Sequence, residues 1–146
     1  MRIEVLKTEH IAALAAIDAV CFGQAAWSVA GFESELQNAS SLCLCALEGE
    51  DALGCIAANL SEDTAFISKV AVTPAARRKG VAKALLRTLC EQVSERGVKE
   101  VTLEVRASNE AAQALYTSCD FEKIGKRRDF YRFPKEDAVI MTKNLC

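Results

Sequence analysis

The chain has 146 residues, a length at which we expect one hydrophobic core and a single domain over residues 1–146. Hydrophobic residues make up 51% of it and charged residues 26%, and no apolar run is long enough to suggest a membrane span. The formal net charge of −2 argues against a general nucleic-acid binder, which usually has a basic patch and a high isoelectric point. We therefore expect no direct contact with nucleic acids or membranes; the sequence does not specify an oligomeric state.

The first residues lack the apolar core and cleavage site of a secretory signal, which predicts a cytoplasmic protein. There are seven cysteines and no Cys-x-x-Cys pair, so no metal site is expected. The only histidine, His10, is predicted to be solvated at a helix start, which leaves no Cys/His pair for a covalent mechanism. Most of the cysteines lie in apolar segments, which predicts reduced, buried thiols among Cys21, Cys43, Cys45, Cys55, Cys90, Cys119 and Cys146.

In the first half of the chain, apolar and polar residues alternate over Arg2–Lys7, as in a half-buried strand. Thr8 is predicted to cap a helix that runs to about Cys21 and turns Ile11, Leu14, Ile17 and Val20 to one face. Ser28 is expected to cap a second helix, with Phe32 and Leu36 at helical spacing. Three strand-like runs separated by short polar turns then predict an antiparallel meander over residues 41–47, 52–60 and 64–72.

The second half begins with a predicted long helix from Gly80 to Arg96, which Gly97 ends. Its apolar face consists of Val81, Leu85, Leu89 and Val93. A strand over residues 99–105, a helix that Asn109 caps, and two strands over 121–125 and 138–143 complete the chain. The order βααβββαβαββ predicts one α+β domain.

A basic turn joins the third strand of the meander to the long helix. It reads Arg-x-x-Gly-x-Ala from Arg77 to Ala82, and Lys83 follows. The first N–H groups of a helix attract anions, so the turn could hold a phosphate group. The spacing fits neither a P-loop nor a Rossmann fingerprint. On these residues alone, a solvated helix start with an ordinary turn glycine is an equal alternative.

The stretch from Val70 to Lys83 resembles the acetyl-coenzyme A motif of the GNAT acyltransferase superfamily, Gln/Arg-x-x-Gly-x-Gly/Ala. Three later stretches, LEVRASNEAAQALY, RRDFY and EDAVIM, are similar to one family within it, the ribosomal-protein alanine N-acetyltransferases. In the less similar first sixty residues, Phe22 and the run Ala26-Trp27-Ser28 fit the family's aromatic, Trp and Ser pattern. The resemblance implies a mixed, mainly antiparallel sheet with flanking helices, whose middle strands, residues 64–72 and 99–105, splay apart.

The resemblance also implies acetyl-coenzyme A as the acetyl donor, with no metal. The backbone of Val70, Ala71 and Val72 would pair with its pantetheine arm. The pyrophosphate would lie against the basic turn and helix start, made of Arg77, Arg78, Lys79, Gly80, Val81, Ala82 and Lys83. Asn109 would contact coenzyme A as well, although a helix cap alone explains an asparagine there.

For catalysis, the resemblance assigns Glu104 as general base and Tyr116 as general acid. From the residues alone, Glu104 is a solvated carboxylate on the polar side of its strand, and Tyr116 is a packing residue. A backbone N–H such as that of Val72 would stabilise the oxyanion. The segments that border the acceptor site in the family contain Trp27, Arg128 and Tyr131 here, where ordinary loop packing is the alternative.

The resemblance implies an enzyme that acetylates the N-terminal alanine of a small-subunit ribosomal protein. An α-amine is easier to neutralise at pH 7 than a lysine, by roughly 3 kcal/mol, so a carboxylate base suits it. A small-molecule acceptor such as a polyamine or aminoglycoside, and a non-catalytic acyl-coenzyme A sensor, remain alternatives. Two positions depart from the family: Asp120 stands where a glycine is usual, and the segment from Arg132 to Glu136 lacks the full Tyr-Pro pair.

Overall fold

A computed structural model of the chain describes residues 1–132 and 134–145, so Cys146 and one residue of the segment Arg132–Glu136 lie outside the described residues. The elements follow the order predicted from the sequence. In chain order they are β1 (Arg2–Val5), α1 (Ile11–Phe22), α2 (Val29–Gln37), β2 (Ser41–Glu48), β3 (Asp51–Ser61), β4 (Thr64–Val72), α3 (Val81–Glu95), β5 (Glu100–Arg106), α4 (Glu110–Ser118), β6 (Glu122–Tyr131) and β7 (Glu136–Asn144).

The strands form one sheet in the order β1-β2-β3-β4-β5-β7-β6. Every neighbouring pair is antiparallel except β4 and β5, which run parallel. The α3 crossover joins these two strands, as a parallel connection requires. The expectation of a mixed, mainly antiparallel sheet with flanking helices is confirmed.

The two central strands separate halfway along their length. They pair from Thr64 with Glu100 to Ile67 with Leu103, and the pairing stops there. Beyond that point β4 stays paired with β3, and β5 stays paired with β7. The predicted splay is therefore present, and it leaves a wedge between the second half of β4 and the end of β5.

A β-bulge at Ser68 marks the point of separation. Ala58 pairs with Ile67 while the preceding residue of β3, Ala57, pairs with Lys69, so Ser68 is the extra residue of β4. A bulge bends a strand and interrupts its ladder, which explains why the pairing with β5 ends here. Strand patterning in the sequence does not predict this irregularity.

The bulge also changes which face of the sheet the β4 side chains occupy. Before it, Ala65 and Ile67 belong to the core beneath α3 and α4. After it, Ala71 belongs to the core beneath α1 and α2, and Val70 packs against the first core. Since strand side chains alternate between faces, the extra residue shifts that alternation by one. Lys69 consequently points toward α1.

The ends of the helices agree with the sequence at most positions. Ser28 accepts a hydrogen bond from Gly31 N–H at 3.1 Å, and Asn109 accepts one from Ala112 N–H at 3.1 Å, so both predicted caps are confirmed. Gly97 ends α3 with φ of +90°. The aspartate that replaces the family's glycine, Asp120, adopts the left-handed conformation with φ of +71°.

The start and face of α1 differ from the prediction. Thr8 opens a 3-10 turn instead of capping the helix. His10 is not solvated: its side chain is only 10% exposed, and its Nδ1 accepts a hydrogen bond from Lys7 N–H. Val20, placed on the buried face, is 69% exposed, and the fully buried position is Asp18. The other members of the predicted face are placed correctly, because Ile11 and Leu14 are buried and Ile17 is half-buried. The face is wrong only at Val20, since the buried stripe continues through a charged residue.

No single helix in residues 1–132 and 134–145 is long and apolar enough to cross a bilayer, although the segments Thr8–Ala25 and Val29–Gln37, bent by 103°, pass together by length and composition.

Candidate active site

The free edge of β4 offers backbone groups to the wedge. Thr73 N–H donates to Leu53 C=O of β3 at 2.8 Å, and neighbouring residues of a strand direct their backbone groups to opposite sides. Val70 and Val72 therefore direct theirs toward the wedge, where β5 has already left. By the same alternation the backbone of Ala71 faces β3. Of the three predicted pantetheine partners, the geometry favours Val70 and Val72.

The basic turn leads into α3 in the way an anion site needs. Gly80 precedes the helix in the left-handed conformation with φ of +79°, and a Cβ built on it would meet no atom within 4 Å. The backbone ladder of α3 begins with Ala84 N–H donating to Gly80 C=O at 3.0 Å. The N–H groups of residues 81–83 precede that bond, so they have no carbonyl within the helix to bond to. Together they form an open cradle of donors at the positive end of the helix dipole.

The side chains around this cradle are cationic and accessible. Arg77, Arg78 and Lys79 are exposed, and Lys83 is half-buried on the first turn of α3. Arg78 also has a left-handed backbone, with φ of +65°. The guanidinium of Arg77 donates to Cys21 Sγ at 3.3 Å, and that thiol donates to Val72 C=O at 3.4 Å. This chain of contacts ties the turn to the last residue of β4.

Glu104 lies on β5 beyond the last residue that pairs with β4, on the side of the strand opposite Leu103 and Val105. Its carboxylate is only 11% exposed, so it is not the solvated group that the residues alone suggest. Oε2 lies 3.3 Å from Nε of the exposed Arg127. That contact is an ion pair by distance but misses hydrogen-bond geometry, so Oε2 has no hydrogen-bond partner among the described residues. A second cation placed with better geometry would donate the hydrogen bond that Oε2 lacks.

Tyr116 lies on α4 and is 8% exposed, with its ring 5.9 Å from that of Phe121. Burial, with a smaller contribution from Tyr131, raises the pKa of the Tyr116 phenol to about 12. The phenol is therefore a proton donor at any physiological pH. The packing role and a role as acid are compatible, because the ring is buried in the core while the hydroxyl keeps its proton.

Tyr131 ends β6 close to both predicted catalytic residues. Burial and the charge of Glu104 raise the pKa of the Tyr131 phenol. Its ring lies under the guanidinium of Arg106, 4.5 Å from ring centroid to Cζ. The structure thus brings Glu104, Tyr116 and Tyr131 into one electrostatic neighbourhood, although the three come from β5, α4 and β6.

Arg106 fixes the turn between β6 and β7. It donates to the carbonyls of Arg132 and Pro134, both at 2.9 Å, and to the Glu136 carboxylate at 3.1 Å. Desolvation acts against ionisation of Glu136, but the hydrogen bonds from Arg106 and Ser108 outweigh it and lower the pKa of that carboxyl. This clamp, which was not predicted from the sequence, holds Tyr131 over the end of β5.

The other two predicted acceptor residues are placed differently from one another. Trp27 is half-buried, packs edge-on against Phe32 at 5.3 Å, and donates its backbone N–H to Asp18 Oδ2 at 2.6 Å. Arg128 is exposed on β6, which extends six residues beyond its predicted end at Gly125. Asn109 uses its side-chain oxygen for the cap of α4, which leaves its amide nitrogen available to a ligand.

A buried ion pair that the sequence analysis missed lies beside the wedge. Lys69 Nζ is 2.9 Å from Asp18 Oδ2, and the two side chains are 6% and 0% exposed. A signal existed in the sequence, because each charged residue sits at a spacing that belongs to an apolar face. The ion pair could not be predicted, because the bulge at Ser68, which turns Lys69 toward α1, cannot be recognised from alternation alone.

A cavity of about 400 Å³ opens between the α1–α2 connector (residues 23–28) and the end of β5, lined by Phe22, Gly23, Gln24, Ala25, Arg106 and Arg132. A larger groove of about 870 Å³ lies between α4 and β6, but none of the predicted site residues lines it. The smaller cavity adjoins the clamp that positions Tyr131 and is the better candidate for an acceptor entrance.

Comparison with known proteins identifies the family. The profile of the Acetyltransferase (GNAT) family matches residues 11–121. The chain is 33% identical to the N-alpha-acetyltransferase RimI of Mycobacterium tuberculosis over 126 residues, which are 84% of this chain and 78% of that protein.

A more similar relative is matched over a shorter range. The chain is 44% identical to the [Ribosomal protein bS18]-alanine N-acetyltransferase of Escherichia coli K12 over 81 residues, 54% of this chain and 55% of that relative, so the match spans about half of its length. The crystal structure of the ribosomal-protein-S18-alanine N-acetyltransferase from Escherichia coli superposes with a TM-score of 0.89 and 32% identity, and covers 99% of this chain and 93% of that one.

Proposed function

Because the chain belongs to the Acetyltransferase (GNAT) family, we propose that it transfers an acetyl group from acetyl-coenzyme A to the N-terminal α-amine of a protein, the alanine of a small-subunit ribosomal protein. The observation that carries the proposal is the wedge between β4 and β5, with β4 backbone that no longer pairs with β5 on one wall and Glu104 on the other. The names of the two relatives support the N-terminal acceptor.

The residues around the wedge fit acetyl-coenzyme A. Val70 and Val72 present backbone groups to a pantetheine amide, and the α3 start with Gly80 offers N–H groups and open space to a pyrophosphate. The exposed cations of the basic turn add charge complementarity. When bound, acetyl-coenzyme A supplies an activated acetyl thioester.

Glu104 serves as the general base. Its carboxylate lies beside the wedge. Among the residues that the structure describes, the only cation within 4 Å of Oε2 is an exposed arginine with imperfect geometry, so the ammonium of an acceptor can take that position. The carboxylate then removes a proton from the ammonium, directly or through a water molecule. An α-amine titrates near 8 and a lysine near 10.4, so this step costs roughly 3 kcal/mol less for a protein N-terminus.

Tyr116 serves as the general acid, mainly by donating a hydrogen bond to the departing sulfur. Because burial raises its pKa to about 12, the phenol stays protonated while it approaches the departing sulfur. It stabilises the developing thiolate with a charge-assisted hydrogen bond. The N–H of Val72, directed toward the wedge, is the proposed donor to the oxyanion.

A single domain over residues 1–146, a cytoplasmic location and the lack of direct nucleic-acid or membrane contact stay predictions that accompany this proposal.

The test incubates the protein with acetyl-coenzyme A and different acceptors, all at the same concentration, and measures thiol release. Peptides that begin with alanine are expected to be turned over faster than polyamines or aminoglycosides. Turnover of the small amines while the peptides stay unacetylated would support the alternative that the acceptor is a small molecule. Binding of acetyl-coenzyme A without turnover of any amine would support the non-catalytic acyl-coenzyme A sensor instead of an enzyme.

A further inference from the structure

We propose that the buried ion pair between Lys69 and Asp18 is a positioning device: it holds the α1–α2 connector against β4 and thereby fixes one wall of the acceptor cavity. The inference rests on the proposed function for the identity of the acceptor. Neither residue carries out a chemical step in the mechanism above. Lys69 adjoins the wedge-facing residue Val70, and Asp18 lies in the helix that leads into the connector.

The ammonium of Lys69 is enclosed on several sides. Asp18 Oδ2 lies 2.9 Å away, the Phe22 ring centroid 4.1 Å away and the Trp27 ring centroid 4.9 Å away. A cation over an aromatic face is attracted to it, more strongly where water is excluded. Lys69 on β4 therefore contacts both the end of α1 and the connector.

Asp18 binds the connector from the other side. Oδ2 accepts the backbone N–H of Trp27 at 2.6 Å as well as the Lys69 ammonium. Trp27 was predicted to border the acceptor, yet it does not line the 400 Å³ cavity. Its contacts indicate an indirect role: Trp27 anchors the connector, and the residues just before it form the wall of the cavity.

The wall itself has little else to hold it. The 3-10 turn Gly23–Ala25 contains no buried residue, and Gly23 has a left-handed φ of +53°. Phe22, Gly23, Gln24 and Ala25 line one side of the cavity, and Arg106 and Arg132 line the other. Because the Arg106 side is clamped by its own hydrogen bonds, the shape of the cavity depends on where the connector rests.

A purely structural ion pair is a poor explanation for this site. Removing one partner of a buried pair leaves an uncompensated charge, whereas replacing both with apolar residues is often neutral for stability. Asp18 Oδ1 is buried without a hydrogen-bond partner in the described residues, so the pair is also imperfectly satisfied. An arrangement of this kind adds little stability, and what it specifies is the position of the connector.

The experiment uses two double variants and three readouts. Asp18→Leu/Lys69→Met removes both charges and the acceptor for Trp27 N–H, while Asp18→Asn/Lys69→Met removes the charges but keeps an acceptor oxygen. Trp27 is the only tryptophan, so acrylamide quenching of its emission reports directly on the connector. Steady-state kinetics give KM and kcat for an alanine peptide, and calorimetry gives the affinity for acetyl-coenzyme A. Neutralising the exposed Arg2–Glu4 pair, 3.1 Å apart, is the matched control.

We expect the Leu/Met variant to fold, to bind acetyl-coenzyme A as the wild type does, to show stronger quenching of Trp27, and to raise the peptide KM about tenfold with a smaller change in kcat. The Asn/Met variant should recover part of both effects, and it replaces the first variant if that one does not fold. Quenching and a peptide KM equal to those of the wild type in either folded variant would overturn this inference and leave the proposed function standing. If the wild-type protein acetylates no peptide, the proposed function is overturned, and so is the claim that the connector shapes a peptide-acceptor cavity. Unchanged Trp27 quenching in the variants would then overturn the remaining claim, that the ion pair holds the connector in place.

Discussion

Replacing Tyr116 with phenylalanine removes a single hydroxyl and keeps the ring that packs against Phe121. The structure sets the size of the effect. The phenol pKa is about 12, and a thiol has a reference value of about 8.5. Complete proton transfer to a thiolate is therefore uphill by about 5 kcal/mol. Tyr116 must act mainly as a hydrogen-bond donor to the developing charge, a contact worth about 1.5–3 kcal/mol.

We expect kcat of Tyr116→Phe to fall about 10- to 150-fold, with little change in the affinity for acetyl-coenzyme A. The assay is thiol release at saturating peptide between pH 6 and pH 9.5. Because the folded-state pKa is raised, the protonated phenol persists through this range, and its contribution disappears only as the pH approaches about 12. The stability that burial of the neutral phenol contributes is likewise present below pH 10 and lost above it, so the fold is not at risk in the assay.

Two results would refute this reasoning. An unchanged kcat would show that Tyr116 only packs. A basic limb in the wild-type profile below pH 10 that disappears in the variant would show that the phenol ionises much more easily than its burial allows.

Three further predictions concern the base, the phosphate cradle and the thiols. Glu104→Gln cannot accept a proton, so kcat should drop about 10²- to 10⁴-fold while calorimetry finds unchanged acetyl-coenzyme A affinity; wild-type turnover would exclude Glu104 as the base. Gly80→Asp should raise the dissociation constant of acetyl-coenzyme A about tenfold or more, and Gly80→Ala, which shares the strained φ but adds no charge, should raise it less; equal affinity in all three proteins would remove the cradle assignment. Burial raises the pKa of Cys43 and of Cys45 to about 11. Both thiols should therefore react slowly with a disulfide reagent at pH 8 in the folded protein and rapidly after denaturation. Fast labelling of the native protein would contradict their burial.

The order of the helices and strands followed from the sequence because its signals are local. Ser28 and Asn109 cap their helices through side-chain oxygens, and glycine at position 97 ends α3 with a positive φ. The strand-like run between short polar turns gave the bounds of β4, residues 64–72, correctly. The splay of β4 and β5 came from resemblance, since no property of either strand alone states where their pairing ends.

What the sequence did not reveal depends on contacts between distant segments. Asp18 and Lys69 are 51 positions apart, and their pairing depends on the one-residue shift at Ser68. The Glu104 carboxylate is mostly buried on a strand whose polar side looked solvated, and its neighbours come from distant segments: Glu104 pairs with Ile140 of β7, and Arg127 of β6 lies 3.3 Å from its carboxylate. Propensity and periodicity report a residue's neighbours along the chain, whereas these features are set by neighbours across the sheet.

The most direct test of the proposed function is the position of the acetyl group on a peptide that begins with alanine and carries one internal lysine. After incubation with the protein and acetyl-coenzyme A, tandem mass spectrometry locates the added mass. We predict acetylation of the α-amine, an unmodified lysine, and loss of the product with Glu104→Gln. Acetylation of the lysine side chain, or an unmodified peptide alongside acetylated small amines, would contradict the proposal that this protein is an N-terminal acetyltransferase.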